Sequence, residues 1–169
     1  MHDKAKVMAL NIDRIIQSVR RIASGLRPEV LDEIGLAAAV EWQAREFQRR
    51  TGIRCQVTIP AGFTDPDKDR STALFRIFQE LLTNVARHAN ATRVKVALSE
   101  GEKLLLCVED NGRGIKEEQH RGSKSLGLLG LRERVQPFGG SLEIRGVEGK
   151  GTRVTVEIPL QVVQPVFHA

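Results

Sequence analysis

The sequence predicts an α+β fold: a mixed, largely antiparallel sheet covered by helices on one face, preceded by a helical segment from a dimerisation bundle. Three observations carry this. Residues 8–26 repeat apolar side chains with heptad spacing, and 36–50 and 72–89 carry apolar stripes at helical period. Five short runs, at 54–59, 94–98, 104–108, 141–146 and 154–158, instead read as strands. Helices come before and between these strands rather than after each one, which argues against a parallel doubly wound sheet.

The elements follow in chain order. Met8, Ile12, Ile15, Val19, Ile22 and Leu26 are separated by 4, 3, 4, 3 and 4 residues, a seam that asks for a partner helix. Ile16 and Ala23 widen the stripe toward a bundle, and a helix of this length extends roughly 30 Å. One long core helix is the alternative reading of the same stripe. Arg27-Pro28 stops the helix, and 28–35 is expected to be a connector. The second helix buries Leu36, Val40 and Phe47, ends on Arg49-Arg50 and is closed by Thr51-Gly52. A strand over 54–59 is followed by a loop, AGFTDPDKD. The third helix, 72–89, presents Leu74, Ile77, Phe78, Leu81 and Val85 to the core. Glu100-Gly101 turns a hairpin between 94–98 and 104–108, and 116–125 is polar throughout. Leu126–Val135 mixes Gly127 and Gly130 with a short helix, LRERV. Gly139-Gly140 opens a strand at 141–146, and GKGT at 149–152 turns into VTVEIP.

Composition sets outer limits. The chain has 169 residues with 41% hydrophobic and 28% charged, enough for one domain with a core and a modest appendage. No run approaches 18 apolar residues, and the N-terminus lacks a signal-peptide core. Cys55 and Cys107 form no CxxC or metal spacing and read as reduced core residues. The net charge of +5 suits nucleic acid, a phosphorylated ligand or an acidic protein equally. Aromatics at 4%, with no Tyr, leave few stacking platforms for bases, so no nucleic acid is expected.

Two stretches carry chemistry. On helix 72–89, Glu80, Asn84 and His88 are spaced i, i+4, i+8, with Arg87 three residues after Asn84. Glu80 and Asn84 offer the hard oxygens that Mg²⁺ accepts while retaining waters and phosphate oxygens, and Arg87 suits a phosphate. An ordinary solvated helix face has the same composition. The second stretch is CVEDNGRGI, where a strand ends on Asp110 at the mouth of a glycine-spaced turn. There, and around Gly127 and Gly130, backbone can approach a ligand closely and offer N–H groups to phosphates. An ionised Asp110 only accepts hydrogen bonds, which suits the exocyclic amine of adenine.

FQELLTNVARHANA, VEDNGRGI, LGLLGLRERVQPFGG and GKGTRVTVEIP together resemble the N box, two glycine boxes and closing strand of bacterial sensor histidine kinases. The subgroup resembled is that of nitrate and nitrite sensors, and the fold is the Bergerat-type one shared with gyrase, Hsp90 and MutL. The likeness covers nearly all of residues 5–160. It implies that Asn84 and Glu80 bind Mg²⁺ and act in catalysis, that Arg87 and His88 adjoin the nucleotide, and that Asp110 holds the adenine amine of ATP. Gly112 and Gly114 would border the nucleotide, Gly127 and Gly130 flank the triphosphate, and Thr152 join the water network at Asp110. Residues 115–126 would be the lid, with Ser125 in place of the family's usual glycine.

The resemblance divides the chain into a partial second dimerisation helix at 1–30, a catalytic ATP-binding domain at 31–162 and a tail at 163–169. It implies a second protomer engaged through the 8–26 seam, a phosphoacceptor helix outside this sequence, and a response regulator. His2 lacks the helical context of a phosphoacceptor, so this piece is not expected to autophosphorylate by itself. It is read as cytoplasmic, with membrane anchoring open to the full-length protein. Two alternatives share the fold: a nucleotide-sensing dimerisation module without phosphotransfer, and an anti-sigma-factor-type serine kinase or ATPase.

Overall fold

The computed structural model describes residues 28–114 and 126–160. The 8–26 seam, His2, all of the 115–126 lid but Leu126, and the 163–169 tail lie outside the described residues.

Helix α1 spans Glu29–Thr51 with a break at Gly35, whose φ of 76° and ψ of 175° are open only to glycine. The connector expected over 28–35 is therefore helical except at Pro28, which precedes the helix, and at Gly35. Glu29 and Asp32 favour the helix start, and Leu31 is buried. The half that follows Gly35 begins with no local cap. Its first amides, of Leu36 and Ala37, donate to Asp65 Oδ1 at 3.0 and 3.2 Å. A Cβ on residue 35 would lie 2.0 Å from Asp65 Oδ2. At the other end Gly52 takes a left-handed φ of 73° and its amide donates to the Gln48 carbonyl.

Strand β1 (Arg54–Thr58) leads by a loop into α2 (Lys68–Asn84). This helix starts earlier than its apolar stripe, because Asp67 accepts from the amides of Asp69 and Arg70. Arg70 then binds the chain across 89 residues: its Nε donates to the Pro159 carbonyl at 2.9 Å, and its guanidinium lies over the Phe138 ring. Phe75, Phe78, Leu74 and Ile77 of α2 are fully buried. The α-helix expected to continue to Ala89 stops at Asn84 and passes into a π-turn, Val85–Ala89, ended by Asn90 at φ 51°.

Strands β2 (Arg93–Ser99) and β3 (Lys103–Asp110) form the expected hairpin. Helix α3 (Leu126–Val135) and a 3₁₀ turn at Gln136–Phe138 precede β4 (Ser141–Val147) and β5 (Gly151–Pro159). The strands lie in the order β1-β2-β3-β5-β4; only β1–β2 is parallel. Alternation sends Val94, Val96, Leu98, Leu104, Leu106, Val108, Val156 and Ile158 to the helix-covered face, where all are buried. The fold is thus the mixed, largely antiparallel, helix-covered sheet predicted.

The cysteines correct a detail. Both are free and half-buried. Cys55 shares the register of buried Val94, and burial pushes its thiol up to about 11. Cys107 pairs with Ala97 and Thr155, out of phase with Leu106 and Val108, so it lies on the open face rather than in the core. No helix among the described residues is long and apolar enough to cross a membrane.

The Asp65 cap gives a direct test. Asp65→Ala should lose about 1 kcal/mol in urea unfolding, in the usual range for a removed helix cap, whereas Asp65→Asn should retain most of it. Equal stability of Asp65→Ala and the parent would mean the cap contributes nothing.

Candidate functional site

The candidate site forms where α2 ends and β3 ends. Glu80 and Asn84 are both half-buried, one turn apart within the α-helical part of α2, so their oxygens share a face. Arg87 and His88 are exposed on the π-turn. An i→i+5 turn holds one residue more than an α-turn, so the angular spacing of these two from Asn84 differs from that of a continuous α-helix. Just before the π-turn the Thr83 hydroxyl donates back to the Gln79 carbonyl at 2.9 Å, and the Val85 amide is shared between the carbonyls of Leu81 and Leu82.

The π-turn ends in contact with the glycine loop. The Ala89 carbonyl accepts the Arg113 amide at 2.8 Å. A Cβ on Gly112 would lie 2.1 Å from that same oxygen, so only glycine lets the two segments meet. Gly114, at φ 75°, then turns the chain. From the other side, the Gly149 amide donates to the Arg113 carbonyl at 2.7 Å. Gly151 packs so tightly that a Cβ there would reach 1.9 Å from the Asp110 carbonyl oxygen.

Asp110 sits inside this junction with 7% of its surface exposed, the only buried carboxylate among the described residues. It is the last residue of β3, opposite Val94 on β2 and Thr152 on β5. Its Oδ1 accepts the Gly112 amide at 2.8 Å, and the Thr152 amide also hydrogen-bonds the carboxylate. Burial raises its pKa above the ordinary 3.8 and Glu109 adds to the rise, while the two amides oppose it. A carboxylate held this way keeps further lone pairs for a ligand donor.

The structure therefore brings together the end of α2, the 110–114 loop and Thr152. That bond network involves neither Gly127 nor Gly130. Both lie inside α3, which begins at Leu126 rather than near 130 and packs on α2 and the β4–β5 hairpin. Ala89, Thr92 and Gly151 belong to the junction although no chemical signal in the sequence marks them; only the GKGT turn pointed to Gly151.

No group of three or more His, Cys, Asp or Glu clusters among the described residues. An all-protein metal cage is therefore not present among them. Two oxygen donors one helical turn apart fit Mg²⁺, which completes its shell with water and phosphate oxygens.

Comparisons with known proteins bear on the family of the chain. A family model described as "Histidine kinase-, DNA gyrase B-, and HSP90-like ATPase" matches residues 69–162. The sensor histidine kinase MctS of Rhizobium johnstonii is 39% identical over 169 residues, covering 94% of this chain and 36% of that protein. The signal transduction histidine-protein kinase/phosphatase UhpB of Salmonella typhimurium is 36% identical over 151 residues, covering 88% of this chain and 29% of that protein. The chain thus spans about a third of the length of these relatives. Among solved structures, the histidine kinase domain of the Erythrobacter litoralis EL346 blue-light activated histidine kinase superposes with a TM-score of 0.60 at 31% identity, covering 74% of this chain and 61% of that one.

The Asp110 environment predicts a pH signature. A carboxylate whose folded pKa is raised contributes stability at acid pH, below the ordinary 3.8, and loses it as pH rises through the folded value. Asp110→Asn removes that titration. Its stability relative to the parent should therefore be more favourable at pH 7 than at pH 3, measured by denaturant unfolding at both. A difference that is unchanged or reversed would contradict the buried-carboxylate assignment.

Proposed function

The chain belongs to the histidine kinase-, DNA gyrase B-, and HSP90-like ATPase family, and on that premise we propose that residues 31–162 are the ATP-binding catalytic domain of a sensor histidine kinase. The γ-phosphoryl of Mg·ATP is transferred to a histidine on a dimerisation helix outside this sequence, for relay to a response regulator. The observation that carries the nucleotide assignment is Asp110: a buried carboxylate, oriented by two amides, at the junction of α2 and the glycine loop.

In this reading Asp110 accepts from the exocyclic amine of adenine, and Thr152 sits beside it through the β5 register. Gly112 and Gly114 border the nucleotide, the Gly112 N–H being the one that orients Asp110. Asn84 and Glu80 hold Mg²⁺, while Arg87 and His88, exposed on the π-turn, adjoin the phosphates. Gly127 and Gly130 flank the triphosphate from α3. The metal, when bound, neutralises charge on the phosphate oxygens. The protein's own share is placement and charge complementarity, since phosphoryl transfer asks for little covalent chemistry from side chains.

The proposal extends to the rest of the protein. Residues 1–30 are the end of a dimerisation helix pair, and the heptad spacing of 8–26 supports a second protomer there. The catalytic piece works in the cytoplasm, and membrane anchoring is a question for the full-length protein. The nitrate/nitrite-sensor-like subgroup stays part of the proposal on its motifs alone, as neither relative named above carries that description.

The test supplies γ-labelled Mg·ATP and a separate protein carrying the acceptor helix. Acid-labile, base-stable label on a histidine of that helix is expected. Asn84→Ala should abolish most transfer and weaken Mg·ATP binding on the order of 10–100-fold, with a smaller effect on metal-free ATP. Acid-stable phosphoserine, or ATP binding without any transfer, would contradict the kinase reading; equal losses with and without Mg²⁺ would make Asn84 structural.

A further inference from the structure

Asn111 is exposed, yet it takes part in several directed hydrogen bonds. Its Oδ1 accepts the amides of Thr92 and Arg93 at 3.0 and 2.9 Å, and its Nδ2 donates to Thr92 Oγ1 at 2.9 Å. Its own amide donates to the Arg93 carbonyl at 3.2 Å. The Thr92 carbonyl in turn accepts the Arg54 amide at 3.1 Å, so the partner of Asn111 is fixed to β1 as well. Four hydrogen bonds thus tie one residue to the start of β2.

The position of this residue gives the contacts their meaning. Asp110 is the last paired residue of β3, and beyond it the backbone would be free to rotate. The next residue but one, Gly112, supplies the amide that holds Asp110 Oδ1. That amide faces back toward the carboxylate only while residue 111 keeps its direction. A chain of contacts therefore runs from Thr92 through Asn111 to the Gly112 amide and on to the Asp110 carboxylate. A purely structural clasp would need none of this register, because the β2–β3 ladder already joins the two strands from Val94 to Ser99.

We propose that Asn111, clasped to Thr92, is a positioning residue that sets the angle of the Asp110 carboxylate and thereby the preference for an amine-bearing base. This rests on the nucleotide reading of the site. Asn111 touches no ligand itself. It acts through the Gly112 amide, so its loss should affect recognition of the base edge and leave recognition of the phosphates alone.

ADP and IDP separate these effects, since IDP carries a carbonyl where ADP carries the amine and the phosphates are the same. Calorimetry on the full chain should show the parent preferring ADP. Asn111→Ala should lose about tenfold in ADP affinity with little change for IDP, so that the preference collapses. Thr92→Val, which removes one of the four bonds, should lose less, and the double variant should do no worse than Asn111→Ala alone. Asn111→Asp keeps the oxygen that accepts from Thr92 and Arg93, and should recover most of the preference. If Asn111→Ala does not fold, Thr92→Val and Asn111→Asp carry the same comparison. An unchanged ADP-to-IDP ratio, or equal losses for both nucleotides, overturns the positioning role while leaving the site intact. A parent with no preference for ADP overturns the amine-binding assignment of Asp110, and this inference with it.

Discussion

The carbonyl of Ala89 is the contact on which the architecture of the site depends. It accepts the Arg113 amide, and the space above it admits only the hydrogen of Gly112. Through that one oxygen the end of α2 meets the end of β3. The last α-helical residue, Asn84, and the buried carboxylate of Asp110 then belong to a single junction instead of two separate surface features. The π-turn at Val85–Ala89 is the backbone's means of delivering the carbonyl, since an α-helical continuation would point it along the helix axis toward its own next turn. Gly151 closes the same junction from β5, within van der Waals reach of the Asp110 backbone. Three segments distant in sequence converge here because glycine permits each close approach.

Around this junction the protein accepts a local cost in stability. Burying Asp110 disfavours its charged form, and two backbone amides offset only part of that. The surrounding scaffold is correspondingly well determined: Phe75 and Phe78 fill the space between α2 and the sheet, and Arg70 fixes the start of α2 to the end of β5. A rigid sheet and helix hold a charged group that would be more stable in water.

Much of this was legible in the residues because it follows from periodicity. Alternation along 94–98 is a local property, and so is the stripe of Leu74, Ile77, Phe78 and Leu81; both fix which face is buried. Asp110 was legible as a strand end beside a glycine turn. The features that escaped depend on partners far along the chain. Asp65 caps a helix that begins 29 residues earlier, so no local pattern announces it, and Gly35 looks like a connector until its φ is known. The π-turn is equally hidden, because Arg87 and His88 keep α-helical spacing in the sequence while the backbone around them widens. Cys107 was misplaced for a simpler reason: an unbroken apolar run, LLLCV, does not reveal which of its alternate members face outward.

The central claim is that the convergence of α2, the 110–114 loop and β5 is an adenine-nucleotide site. Heteronuclear NMR of the chain titrated with Mg·ADP tests it most directly, residue by residue. The account predicts that the largest amide shifts fall on Asn84 to Ala89, Gly112 to Gly114, and Thr152. Shifts confined to the open face of the sheet, at Lys95, Cys107 and Thr155, or no response at saturating nucleotide, would contradict it.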